Sequence, residues 1–132
     1  MTAGADKLVL VVDDDDSVRE MLEFIVKKEG FRVETAVDGE DGVQKAQSLA
    51  PDLIILDLML PRYGGFELLR QLQSGERRGV PVVVVTGRYT DRSTADLIRQ
   101  ESNVVEFLEK PVKPAVLGAA LQKIIGRRPG TS

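Results

Sequence analysis

Three nearly unbroken apolar stretches constrain the fold most: Lys7–Val12 (KLVLVV), Leu53–Leu56 (LIIL) and Val80–Val85 (VPVVVV). A strand whose apolar residues do not alternate with polar ones has no side to offer water. Such strands belong in the middle of a parallel sheet, covered on both faces.

Helical patterns separate them. Ser17–Glu29 carries Val18, Met21, Leu22, Ile25 and Val26 at helical spacing, with Gly30 as its stop and Ser17 and Glu20 as a predicted capping box. Phe31–Ala36 alternates, with Phe31 and Val33 inward and Arg32 and Glu34 outward, as a half-exposed strand does. Asp38 is expected to cap a helix running to Leu49, ahead of Pro51. A short helix is predicted over Phe66–Gln73, and a weak one over Asp91–Glu101, where Ala95, Leu97 and Ile98 are the only apolar residues. A mixed strand follows at Val104–Leu108. Pro114 opens the last helix, whose inner face is Leu117, Leu121, Ile124 and Ile125.

Strand and helix therefore alternate five times, which implies crossover helices and a parallel sheet. The apolar runs take its centre and the two mixed strands its edges. The order 2-1-3-4-5 satisfies this, giving a flavodoxin-like doubly wound (βα)5 sandwich of the α/β class. A Rossmann order is disfavoured, because no GxGxxG follows any strand. With 132 residues, no repeat and no linker, a single domain over 1–132 is expected, its core at about 7–126.

Composition removes several functions. At 42% hydrophobic and 30% charged, the chain is globular rather than disordered. A net charge of −3 without a basic run argues against direct nucleic-acid binding. Cysteine and histidine are both absent, which excludes a thiolate or imidazole zinc site, a Ser-His triad and a phosphohistidine on this chain. No signal peptide opens the sequence and no apolar run approaches membrane-spanning length, so a cytoplasmic location without membrane insertion is expected.

In open α/β sheets ligands bind outside the carboxyl ends of the strands, at the switch point between strands 1 and 3. Asp13 and Asp14 follow strand 1, Asp57 ends strand 3, Thr86 follows strand 4 and Lys110 follows strand 5. Singly, most are ordinary. Aspartates after a strand commonly cap the next helix, which is the reading for Asp15 and Asp16. A threonine is a common strand or turn residue, and a lysine is usually solvated.

Asp57 is different. It stands in LIILDLML with Pro61 beyond, so no helix can begin at it. A carboxylate among apolar side chains is costly unless something pairs with it. Lys110 alone cannot neutralise three converging carboxylates. All-oxygen donors select a hard divalent ion, Mg²⁺, with Mn²⁺ as the alternative.

Four motifs at strand ends, VVDD (Val11–Asp14), DLMLPRYGG (Asp57–Gly65), VVVVTG (Val82–Gly87) and FLEKP (Phe107–Pro111), resemble the receiver domain of bacterial two-component response regulators. The resemblance covers Lys7 to about Ile125. It implies that Asp57 accepts a phosphoryl group from a phosphohistidine on another protein. Asp14, Asp57 and the Met59 backbone carbonyl are then the direct Mg²⁺ ligands, with Asp13 acting through water. Thr86 would hydrogen-bond the phosphoryl group, Lys110 would pair with it, and the Lys110–Pro111 bond is cis in most relatives. Phe107 would be the switch aromatic that turns inward when Thr86 moves.

The sequence departs from the family pattern in places. Gly64 stands where Asp or Ser is common, and Gly87 replaces the usual alanine. Met59 and Arg88 occupy positions that tune dephosphorylation, and Thr86 to Lys110 is about two residues longer than usual. No site residue is lost.

The implied partners are a sensor histidine kinase or a histidine phosphotransfer protein, and a downstream protein target. The target would be read through the face of the fourth helix, fifth strand and fifth helix, where Arg92, Arg99 and Glu106 lie. A monomer is expected, with dimerisation on phosphorylation as the alternative. No organic cofactor is expected, and the chain is a signalling phosphoacceptor rather than an enzyme, catalysing only its own phosphorylation and dephosphorylation. One rival is an aspartyl-phosphate hydrolase, but its nucleophile would follow strand 1 in a DxDx[TV] arrangement that DDDDSV does not supply. The others are a docking module that works without phosphorylation and the N-terminal receiver fragment of a larger regulator with an output domain.

Overall fold

A computed structural model describes residues 7–57, 69–71, 79–87, 96, 100 and 103–126. The described elements, in chain order, are β1 (Leu8–Val12), α1 (Asp16–Lys28), β2 (Arg32–Ala36), α2 (Gly39–Leu49), β3 (Leu53–Asp57), β4 (Val82–Thr86) and β5 (Val104–Glu109). A last helix, Pro114–Leu121, continues into a π-helical turn, Gln122–Gly126.

The five strands form one sheet of order β2-β1-β3-β4-β5, and every pairing is parallel. β1, β3 and β4 are buried at every position, as their apolar runs require. β2 and β5 lie at the edges and carry the polar residues. The doubly wound order expected from the sequence is the one observed.

Alternation along each strand divides the core in two. Leu10, Val12, Ile54, Leu56, Val82 and Val84 pack on one face with Ala36 and Ala46. Val9, Val11, Leu53, Ile55, Val83 and Val85 pack on the other, against Leu22, Ile25 and Val26 of α1 and Leu117 and Leu121 of the last helix. Each fully buried Leu or Ile contributes about 1.5–3 kcal/mol of transfer free energy, so these two layers supply most of the drive to fold.

The helix ends are fixed locally. Asp38 caps α2, its side chain accepting from the Asp41 amide at 2.8 Å, as the sequence predicts. Gly30, at φ +95°, makes the turn from α1 into Phe31 that a side chain would strain. Pro114 sits in the first turn of the last helix.

Two local expectations need correction. α1 begins at Asp16 and is capped by Asp15, which accepts from the Val18 amide at 3.0 Å, so Ser17 and Glu20 form no capping box. Asp15 is in the extended conformation of an N-cap, three residues before the Val18 amide that its carboxylate accepts from, while Ser17 already lies inside the helix. The last helix is α-helical only to Leu121, and Ile124 and Ile125 reach the core half-buried from the π turn. Of the helix predicted over Phe66–Gln73, residues 69–71 are described and helical, with Leu69 buried. The helix predicted over Asp91–Glu101 lies outside the described residues except for Asp96 and Gln100, joined by a 3.2 Å bond from the Gln100 amide to the Asp96 carbonyl.

Candidate functional site

Three strands deliver carboxylates or their counter-charge to one end of the sheet. β1 ends at Val12, and Asp13 continues its line, donating its amide to the Ala36 carbonyl at 3.2 Å. β3 ends on Asp57, opposite Val85 of β4. β5 ends at Glu109, opposite Thr86, and the Lys110 amide donates to the Thr86 carbonyl at 2.7 Å. The Lys110–Pro111 peptide bond is cis.

The side chains meet there. Asp13, Asp14 and Asp57 present carboxylate oxygens that all lie within 4.8 Å of one another. Asp13 and Asp57 are buried, at 0% and 3% exposure, whereas Asp14 faces solvent. Lys110 Nζ donates to Asp57 Oδ2 at 3.2 Å and makes an ion pair with Asp13 Oδ2 at 3.4 Å. Thr86 is fully buried at the end of β4. Phe107 pairs with Val84, two residues before Thr86, and packs half-buried against the Leu10–Leu56–Val84 side of the core.

The electrostatics follow from burial. Desolvation raises the Asp13 carboxyl above its usual range and the neighbouring Asp57 charge adds to this, while the Asp15 amide and Lys110 offset only part. Burial alone would lower the Lys110 ammonium, but Asp57 and Asp13 together outweigh it and hold its pKa raised. Asp13 uses Oδ1 to accept from the Asp15 amide at 2.9 Å, which leaves Oδ2 enclosed and without a hydrogen-bond donor among the described residues. Three carboxylates within 4.8 Å of one another, two of them buried and faced by a single ammonium, are a donor set that fits a hard divalent cation.

The opening DDDD now has its explanation. Asp13 and Asp14 face the cluster, Asp15 caps α1 and Asp16 lies in its first turn, near the positive end of the helix. The Met59 carbonyl, Gly64 and Arg88 lie outside the described residues, as do Arg92 and Arg99.

One contributor was missed from the sequence. Arg19 Nη1 donates to the Asp13 carbonyl at 2.9 Å, and Nη2 pairs with Asp16 Oδ1. Its only signal was a lone cation six residues beyond Asp13 in an acidic stretch, which reads equally well as a solvated charge.

Comparison with known proteins agrees with this geometry. The sequence matches the response regulator receiver domain family over residues 9–122. It is 35% identical over 119 residues to the transcriptional regulatory protein AfsQ1 of Streptomyces coelicolor, covering 90% of this chain and 51% of that protein. It is 38% identical over 120 residues to the DNA-binding response regulator MtrA of Mycolicibacterium smegmatis, covering 90% of this chain and 50% of that one. The chain thus spans about half the length of the curated relatives it matches. Among solved structures, a response regulator receiver protein from Pseudomonas putida superposes with a TM-score of 0.84 at 32% identity, covering 90% of this chain and 98% of that one. The receiver domain of a sensor histidine kinase from Pseudomonas aeruginosa, crystallised with magnesium in its active-site cleft, superposes with a TM-score of 0.82 at 27% identity, covering 93% and 100%.

Proposed function

The chain belongs to the response regulator receiver domain family of two-component signalling, and from that premise we propose that Asp57 accepts a phosphoryl group from a phosphohistidine on a partner protein. The observation that carries this reading is the cluster itself: one buried carboxylate at the switch point, two more carboxylates within 4.8 Å, and a lysine ammonium 3.2 Å away.

In the proposed step an Asp57 carboxylate oxygen forms a bond to phosphorus as the phosphorus–nitrogen bond of the donor breaks. The electron pair leaves with the imidazole nitrogen, and the product is an aspartyl phosphate. Lys110 moves from its carboxylate partner to a phosphoryl oxygen, and Thr86 donates its hydroxyl to another. Asp13, Asp14 and Asp57 would hold Mg²⁺ or Mn²⁺, with the Met59 carbonyl as a further ligand. When bound, the ion neutralises charge on the transferring phosphoryl group.

The partners of this reading are a histidine kinase or histidine phosphotransfer protein upstream and a protein target downstream. The chain acts as a single receiver domain over 1–132, and its catalysis is confined to its own phosphorylation and dephosphorylation. The DNA-binding relatives, about twice as long, favour a second reading of output in which the phosphorylated receiver controls a DNA-binding domain. No described helix is long and apolar enough to cross a membrane. The test is incubation with a small acyl-phosphate donor with and without Mg²⁺, followed by intact-mass measurement. A single phosphoryl adduct that needs the metal is expected, and no adduct would reject the reading.

A further inference from the structure

We infer that Arg19 is a positioning residue for the metal-binding loop: by gripping the Asp13 carbonyl and the Asp16 carboxylate together, it sets the direction in which Asp14 meets the cation. This rests on the proposed Mg²⁺ site and adds to it a residue that touches neither metal nor phosphate.

The argument begins with the Asp13–Asp14 peptide. A peptide unit is planar, so fixing its carbonyl oxygen also fixes the amide nitrogen of Asp14 and the orientation of the backbone that carries the Asp14 side chain. Asp14 needs this help. Unlike Asp13 and Asp57, which are buried, it is exposed to solvent. Asp13 is held at its amide by Ala36 and at Oδ1 by the Asp15 amide, which leaves its carbonyl as the remaining handle on the loop. Arg19 Nη1 takes that handle at 2.9 Å.

The second grip makes the first one rigid. Arg19 Nη2 pairs with Asp16 in the first turn of α1, the helix that also carries Arg19. The guanidinium therefore bridges the loop peptide and the helix start, with its side chain only 17% exposed. A planar guanidinium presents its donors in a fixed fork, whereas a lysine ammonium is a single point on a flexible stem and cannot hold both partners in one geometry.

The alternative role, counter-charge for four aspartates, predicts the opposite sign. A nearby cation repels a divalent ion, so removing one whose role is purely electrostatic should tighten Mg²⁺ binding. Removing a residue that orients a ligand should weaken it, by about 10-fold on the usual scale for such supporting partners.

The test is isothermal titration of Mg²⁺ into the native chain, Arg19→Ala and Arg19→Lys, with circular dichroism to verify folding. Amide spectra without metal would follow the Asp14 resonance. Weaker binding in Arg19→Ala, a smaller loss in Arg19→Lys, and a displaced Asp14 amide are expected. Should Arg19→Ala fail to fold, weaker binding by Arg19→Lys, which keeps the charge, decides the matter alone. Unchanged or tighter binding in the variants, with normal binding by the native chain, would overturn this inference and leave the proposed function standing. Absence of saturable binding by the native chain would overturn both.

Discussion

Lys110 Nζ lies 3.2 Å from Asp57 Oδ2, an ammonium resting on the carboxylate that is proposed to take the phosphoryl group. The pair joins the ends of two strands that are not neighbours, since β4 lies between β3 and β5. Phosphorylation would move the negative charge outward from Asp57, and the lysine would follow it. Lys110→Ala should therefore still bind Mg²⁺, and bind it more tightly because a repelling charge is gone. It should lose most of the conformational response to a phosphoryl mimic. Metal titration and amide exchange on the same variant check both halves, and loss of Mg²⁺ affinity would show that this division of roles is wrong.

Asp57→Asn should remove the phosphoryl adduct while leaving the fold intact. Asp57 is the carboxylate of the cluster enclosed between apolar runs, and an amide oxygen there has neither the charge nor the nucleophilicity of a carboxylate. Intact mass after incubation with an acyl phosphate, with circular dichroism as the folding control, reads the outcome. An adduct of undiminished extent in Asp57→Asn would refute the assignment.

Asp13→Asn should stabilise the metal-free protein. Burial and the Asp57 charge raise the folded-state pKa of Asp13, so the folded chain holds this proton more tightly than the unfolded one. The native chain therefore loses stability as pH rises from the ordinary value of 3.8 through the raised value. Removing that charge should raise the Tm of the metal-free protein at neutral pH. Saturating Mg²⁺ should reverse the order, because a ligand at a hundredfold excess over its Kd stabilises the native chain by about 2.7 kcal/mol. Thermal melts with chelator and with Mg²⁺, at neutral pH and near pH 4, test the crossing. A native chain that is the more stable one in chelator would contradict the account.

Gly87 follows Thr86 at the end of β4, and the structure offers no steric reason for a glycine there. A Cβ built there meets nothing within 4 Å, and the residue does not have positive φ. Gly87→Ala should raise stability by about 0.4–1 kcal/mol, chiefly by narrowing the unfolded ensemble. Denaturant unfolding measures this. A destabilised Gly87→Ala would mean that the loop beyond it uses the glycine's freedom.

The sequence disclosed the fold because the decisive signal was local. Unbroken apolar runs at β1, β3 and β4 and alternation at β2 leave few sheet orders open. It also brought forward Asp13, Asp14, Asp57, Thr86 and Lys110 as candidates, since each ends a strand or stands within two residues of its end, and the structure gathers the three carboxylates and the lysine ammonium at one end of the sheet. What it hid was decided between elements or among near-equivalent neighbours. In DDDDS any of several residues can cap a helix, and only the three-dimensional start of α1 selects Asp15 over Ser17. At the π turn Gln122 makes a tertiary tie that no periodicity shows. Its side-chain Nε2 donates to the Glu29 carbonyl at 3.0 Å and to Glu29 Oε1 at 2.9 Å, linking the last helix to the end of α1. Arg19 was hidden for the same reason, because its meaning lies in the carbonyl it reaches.

The last prediction concerns how the phosphoryl signal leaves the site. Thr86 ends β4, Lys110 follows the last residue of β5, and the two are joined by the 2.7 Å bond from the Lys110 amide to the Thr86 carbonyl. Both are proposed to follow the phosphoryl group, so the strand ends should adjust together. Phe107 lies three residues before Lys110, half-buried against Val84, and β5 is an edge strand with no further strand to restrain it. Beside it Val105 is 47% exposed, and Val104, Val105, Glu106 and Phe107 line a cavity of about 170 Å³. An aromatic ring next to free volume on an edge strand can take two positions of similar energy, and a phosphoryl group that favours one shifts the population. Amide exchange with and without a phosphoryl mimic should therefore change along Val104–Lys110 as well as at Asp13–Asp16, with β1 and β3 unchanged in their centres. Phe107→Ala should bind Mg²⁺ and accept the phosphoryl group as the native chain does, yet show a smaller change along β5. Changes confined to Asp13–Asp16 and to the chain just after Asp57, with none from Gly87 to Phe107, would rule out β5 as the route of output.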